Sequence, residues 1–187
     1  MLLSRHGESE YNKRNLFTGW TDCDITDKGR KEAVEVGRRL KDAGYMHIDC
    51  AFTSELKRAQ HSLEIELDQL GLNNKVLIEK TQTLNERDYG VLTGLNKDDA
   101  RHKWGKEQVH IWRRSYSVAP PEGESLEMTG ERVLPFYFCR ILPLVEQGKT
   151  VLVSAHGNSL RSMIKELLGL TPKECVDIQP LTRPTDR

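Results

Sequence analysis

Two short stretches carry the residue types that chemistry needs. "SRHGES" sets Arg5, His6 and Gly7 in a row, and "SAHGNS" sets His156, Gly157 and Asn158 in a row. A neutral imidazole is a good nucleophile near neutral pH and can carry a covalent intermediate. The company of the two histidines suggests what they would attack. Arg5 adjoins His6, and Arg58 follows in "TSELKRA", so cations and helix-start amides suited to a phosphate are available. A phosphoryl group in transfer spreads charge over its equatorial oxygens, which preorganised Arg, His and N–H donors stabilise. This chemistry calls for no metal.

A second constellation is "TLNERDYGVLTGLNK". Glu86 is a candidate general acid and base whose pKa would rise toward neutrality if it were buried beside a bound anion. The competing reading pairs it with Arg87 in a solvated loop. Tyr89 and Lys97 could hold a second anionic group. In "QVHIWRRSY", Arg113 and Arg114 are either a surface pair or a forked clamp on a doubly charged small molecule. His47, His61, His102 and His110 sit among charged residues and read as surface side chains. Trp20, Trp104 and Trp112 read as packing or loop anchors.

The elements that must position these residues follow from hydrophobic spacing. Met1 to Arg5 is a short strand. Thr26 caps a helix with Ala33, Val36, Leu40 and Ala43 inward, stopped at Gly44. "IDCAFTS" is a buried strand, followed by a helix whose inward face is Leu56, Ala59, Leu63, Leu67 and Leu70, ending at Gly71. "KVLIE" is a third strand. Helical segments cover Asn96 to Trp104 and Lys106 to Ser115, and another starts near Ser125 and should kink or divide at Pro135. "KTVLVSAHGN" is a strand leading directly into a helix from Asn158 to about Leu168. Strands alternating with helices define an α/β fold, a three-layer αβα arrangement on a mainly parallel sheet. Such sheets bind ligands beyond the carboxyl ends of their strands, where both His-Gly pairs fall.

Composition narrows the partners. The 28 Lys and Arg residues cancel the 28 Asp and Glu residues of a 187-residue chain, so no overall field draws it to nucleic acid or a membrane. No apolar run reaches spanning length, which predicts a cytoplasmic protein. Cys23, Cys50, Cys139 and Cys175 are too widely spaced for a zinc or disulfide framework and are expected to be reduced and mostly buried.

Taken together, "LSRHGESEYNKRNLFTGW", "AFTSELKRAQ", "LNERDYGVLTGLNKDDA", "IWRRSYSVAPP" and "SAHGNSLR" resemble the cofactor-dependent phosphoglycerate mutases of the histidine phosphatase superfamily. The resemblance implies interconversion of 3-phosphoglycerate and 2-phosphoglycerate in glycolysis and gluconeogenesis, primed by 2,3-bisphosphoglycerate and using no metal. It implies that His6 becomes phosphohistidine, surrounded by Arg5, Asn12, Arg58 and His156, while Glu86 moves protons. Thr18, Gly19, Tyr89, Lys97, Arg113, Arg114, Gly157 and Asn158 match positions that hold substrate phosphate or carboxylate. A monomer and a homo-oligomer are both compatible with it. The expected organisation is one domain over 1–178 and a polar tail over 179–187. That tail, "QPLTRPTDR", is expected to be disordered and to lack the last strand of the family. A phosphatase of the same superfamily and a truncated, non-catalytic anion-binding form are the alternatives.

Overall fold

The computed structural model describes residues 1–178. The tail expectation over 179–187 therefore lies outside the described residues. Strands β1 (Leu2–Arg5), β2 (Cys50–Thr53), β3 (Leu77–Lys80) and β4 (Val151–Ala155) form one parallel sheet in the order β1-β4-β2-β3. Around them run α1 (Glu10–Lys13), α2 (Asp27–Asp42), α3 (Lys57–Gln69), α4 (Lys97–Trp104), α5 (Lys106–Arg114), α6 (Leu126–Phe136), α7 (Leu142–Glu146), α8 (Gly157–Leu168) and α9 (Pro172–Asp177).

Alternation along β4 shows why the sheet needs cover on both faces. Val151, Val153 and Ala155 join Val133, Tyr137, Leu160 and Met163 on the α6 and α8 side. Leu152 joins Leu63, Leu67 and Leu70 on the α3 side. The expected three layers are thus present, with β4 buried throughout. A third cluster, Phe17, Leu92, Ala100, Val109 and Trp112, holds α4 and α5 as a separate platform.

The expected face of α2 needs partial correction: Ala33 is buried and Leu40 packs against the α3-side cluster, but Gly29 and Gly37 complete the face, Val36 is only half-buried and Ala43 is exposed. The helix lies so close to its neighbours that only small residues fit: a Cβ on Gly37 would stand 2.6 Å from the Gln69 Cβ. At Pro135 the helix is divided as expected: α6 ends at Phe136, a π-helical stretch follows over Tyr137–Ile141, and α7 resumes with Pro143 in its first turn. Pro135 has no N–H to give the preceding turn, and the wider π turn follows directly after it. The face expected for α3 is buried as anticipated. Of the four free cysteines only Cys175 is buried, and Cys139 is exposed.

Candidate active site

Each strand of the sheet leads to a site residue at the carboxyl edge. β1 and β4 pair with Arg5 opposite Ala155, so His6 and His156 leave the sheet side by side. Their ring centroids are 4.9 Å apart. β2 leads through Ser54 into α3, which carries Arg58, and the segment after β3 carries Glu86.

The turn after His6 is held by close backbone approach. A Cβ on Gly7 would fall 2.1 Å from the Gly29 carbonyl oxygen, so glycine is required where the loop crosses the start of α2. The Gly7 N–H donates to Ser62 Oγ at 3.0 Å, and Ser62 in turn donates to the Arg58 carbonyl at 2.7 Å. On the far side, the Glu8 N–H donates to Glu32 at 2.8 Å and Thr26 Oγ1 donates to Glu8 at 3.1 Å.

Hydrogen bonds and burial set the state of both imidazoles. His6 Nδ1 lies 2.7 Å from the Gly7 carbonyl, which can only accept, so Nδ1 carries the proton and Nε2 keeps its lone pair. Burial, followed by the charges of Arg58 and Arg5, holds the His6 pKa well below 6.5. The ring is therefore neutral and nucleophilic at neutral pH. His156 is likewise held low by burial and by Arg58. Its Nε2 lies 2.7 Å from Ser54 Oγ, which already accepts from the Leu56 N–H at 3.2 Å. A hydroxyl can donate and accept at once, so Ser54 and His156 Nε2 share one short hydrogen bond whose direction follows the state of the ring. The buried His156 Nδ1 has no hydrogen-bond partner among the described residues.

Arg58 is buried, and its guanidinium donates to the carbonyls of Thr21 and Gly19 at 2.8 and 2.9 Å. Those two carbonyls fix the plane of the fork, with Thr18 and Gly19 on the same loop. Glu86 is also buried, which removes the solvated-loop reading. Its Oε1 accepts from the N–H groups of Arg87 and Asn158 at 2.8 and 3.1 Å, so one of the helix-start amides offered to phosphate is occupied by Glu86. A Cβ on Gly157 would lie 3.8 Å from both Glu86 Oε2 and Arg5 Nε, which places acid and arginine against the same glycine.

A cavity of about 280 Å³ opens on Arg5, His6, Asn12 and Lys97, and also on Glu8, Asn15 and Glu32. Asn12 caps α1 in exchange with Ser9, each side chain accepting the other's backbone N–H at 3.2 Å. Lys97 and Arg113 both stand about one ring-width from Phe17, at 6.0 and 5.9 Å from its centroid. Burial, then the neighbouring Arg113 charge, lowers the Lys97 pKa. Burial alone would raise the Tyr89 hydroxyl pKa, yet Arg87, 4.7 Å above the ring, brings it below the usual value. Tyr89 Oη accepts from Asn158 Nδ2 at 3.4 Å. Arg114 is the most peripheral of the expected residues: it is exposed at the end of α5, where its charge reaches Arg113 and Arg161.

Several participants escape a reading of the sequence. Ser54 Oγ meets His156 Nε2 at 2.7 Å, and Arg161 donates to Asn158 Oδ1 at 3.1 Å. Trp20, expected only to pack, donates to the Glu86 carbonyl at 2.7 Å. Arg87 is fully buried and donates to the Arg113 carbonyl at 3.3 Å, joining the acid segment to α5. His61, read as an isolated surface side chain, contacts Asp24 at 2.7 Å. "SELKRA" and "HGNSLR" contain the first two of these residues, but nothing in their spacing distinguishes them. Among the described residues no cluster of His, Cys, Asp or Glu is arranged to hold a metal ion. No described helix is long and apolar enough to cross a membrane.

A strand-end histidine pair, a buried arginine and a buried carboxylate thus stand together at the carboxyl edge of a parallel sheet. The profile of the histidine phosphatase superfamily (branch 1) matches residues 1–183, and the chain belongs to that superfamily. It is 58% identical over 174 residues to the 2,3-bisphosphoglycerate-dependent phosphoglycerate mutase of Brucella anthropi, covering 93% of this chain and 84% of that one. It is 57% identical over 176 residues to the phosphoglycerate mutase of Schizosaccharomyces pombe, covering 94% and 82%. Among solved structures, Bacillus stearothermophilus YhfR superposes with a TM-score of 0.78 at 26% identity, covering 94% of this chain and 83% of that one.

Proposed function

We propose that the chain is a 2,3-bisphosphoglycerate-dependent phosphoglycerate mutase, interconverting 3-phosphoglycerate and 2-phosphoglycerate through phosphohistidine at His6. The observation that carries the reading is the His6 tautomer. Nδ1 is tied to the Gly7 carbonyl, so Nε2 is the free nucleophile beside Arg58 and His156. The relatives at 53 to 58% identity supply the substrate.

In the forward half-reaction, His6 Nε2 forms the bond to phosphorus as the phosphorus–oxygen bond of the donor breaks. Glu86 gives a proton to the departing oxygen. Arg5, Arg58 and His156 stabilise charge on the equatorial oxygens. In the reverse half-reaction Glu86 takes the proton from the other hydroxyl, and that oxygen accepts the phosphoryl group from His6. Lys97, Arg113 and Arg114, with Tyr89, Asn158 and Gly157, grip the carboxylate and second phosphate while the glycerate turns. Asn12, Thr18 and Gly19 complete the near wall. This cationic lining fits 2,3-bisphosphoglycerate, which supplies the first phosphoryl group. A cytoplasmic location suits these substrates.

Incubation with 3-phosphoglycerate, with and without catalytic 2,3-bisphosphoglycerate, tests the reading. Primer-dependent formation of 2-phosphoglycerate is expected. Release of free phosphate alone would make the protein a phosphatase, and silence from a folded sample would make it an anion-binding form.

A further inference from the structure

We propose that Arg132, oriented by Glu124, is a positioning residue that holds Glu86 in reach of the reacting oxygens; the proposal rests on the proton-transfer role given to Glu86 above. Glu86 is not on a helix or strand. It follows a single turn of 3-10 helix, Gln82–Leu84, in which the Gln82 carbonyl accepts the Asn85 N–H, and the turn's other partners come from outside it. Arg132 is chief among these. From the middle of α6 its Nη1 donates to the carbonyls of Thr83, Gln82 and Asn85 at 2.6, 3.3 and 3.4 Å. Its Nη2 donates to the Glu86 carbonyl at 3.3 Å, which also receives Trp20 Nε1 at 2.7 Å.

The guanidinium is itself fixed. Glu124 takes Arg132 Nε on Oε1 and Nη2 on Oε2, both at 2.9 Å, a two-point fork. The same Oε2 accepts the Asp88 N–H at 3.0 Å. Trp20 covers the guanidinium face, with the Arg132 carbon 5.4 Å from the ring centroid. Both partners are largely withdrawn from water, with side chains 19% and 17% exposed.

The pair thus grips the backbone on both sides of Glu86, at the carbonyls before it and at the amide of Asp88 after it. The Glu86 carboxylate points the other way, to the N–H groups of Arg87 and Asn158. One planar group with five donors spans these acceptors, a task that a lysine ammonium cannot perform in one geometry. Loosening the grip would move a proton donor relative to its acceptor, and a displacement of about 1 Å can cost on the order of a hundredfold in rate.

The test compares Arg132→Met, Arg132→Lys and Glu124→Gln with the unaltered protein on two phosphoryl donors. Isomerisation of 3-phosphoglycerate needs a proton on a poor leaving oxygen. Transfer to His6 from p-nitrophenyl phosphate, whose leaving group departs as an anion, does not. We expect kcat for isomerisation to fall at least about tenfold with KM within about threefold, and aryl-phosphate transfer to stay within about threefold. Lysine should restore less than half of the loss. Equal loss on both donors, or none on either, overturns the proposal. Thermal unfolding of each variant is followed in parallel, and Glu124→Gln carries the comparison if an Arg132 variant fails to fold. If the unaltered protein hydrolyses phosphate esters without isomerising, the mutase reading falls, and an alkyl phosphate replaces 3-phosphoglycerate in the same comparison. A folded protein that transfers from no donor overturns both.

Discussion

Ser4 Oγ donates a 2.8 Å hydrogen bond to Glu66 Oε2 beneath the sheet, two residues before His6. Ser4 stands opposite Ser154, which itself lies two residues before His156, so Glu66 underlies the strands that deliver both rings. Glu66 is fully buried, and burial raises its carboxyl from 4.5 to about 8. Unfolded, it would release its proton near 4.5. Below that value both states hold the proton and the group's stabilising contribution is complete. As pH rises toward about 8, only the unfolded chain has ionised, and stability is lost. His6 and His156 have the opposite sign: their depressed pKa values favour the fold above 6.5 and weaken it as pH falls below that. Chemical denaturation of Glu66→Gln beside the unaltered chain isolates Glu66. Relative to the parent, the variant should gain about 1.4 kcal/mol for each pH step of about 1 between roughly pH 5 and pH 8. A difference that stays constant over that range would show that Glu66 ionises normally.

Neutral His6 should keep its nucleophilicity in mild acid. Because its pKa lies well below 6.5, phosphoryl uptake from an aryl phosphate should stay level as the buffer passes from about pH 7.5 to about pH 6. Stopped-flow bursts at each pH provide the check. A fall to half near 6.5 would mean that the ring titrates as an exposed imidazole does.

Glu86→Gln removes the proton but keeps the shape that receives the N–H groups of Arg87 and Asn158. Isomerisation should slow roughly a hundredfold or more, the usual cost of losing a general acid. Steady-state assays that find an unchanged kcat would assign proton transfer elsewhere.

Gly7→Ala should destabilise by ~3 kcal/mol or more, since its Cβ would overlap the Gly29 carbonyl at 2.1 Å. Gly130→Ala is the contrasting case. Its Cβ would meet Ser162 Oγ at an ordinary 3.5 Å, and replacing glycine inside α6 should stabilise by about 0.5–1 kcal/mol. Urea melts of the two variants measure both effects, and similar midpoints would refute the close approach.

What can be read from the sequence is what local pattern encodes. The His-Gly pairs are legible because a strand ending in histidine and glycine has one place to go in a parallel sheet. Leu63 and Leu67 announce the α3 face by spacing alone. The α2 face is only partly legible: Ala33 and Leu40 are found by spacing, but Gly29 and Gly37, which complete the contact, carry no apolar signal. The partners of Glu86 are hidden for a different reason: Trp20, Glu124 and Arg132 reach its segment from distant parts of the chain, and pairings of that range leave no periodicity. Ser54 is invisible in the same way, since its role exists only once β2 and β4 lie side by side.

The central claim is that His6 Nε2 takes and returns the phosphoryl group. Labelled 2,3-bisphosphoglycerate should leave one acid-labile phosphate per chain, mapped to His6 by peptide mass spectrometry, and 3-phosphoglycerate should discharge it. His6→Ala should take up none. Label that persists in that variant, or that maps to His156, would contradict the account.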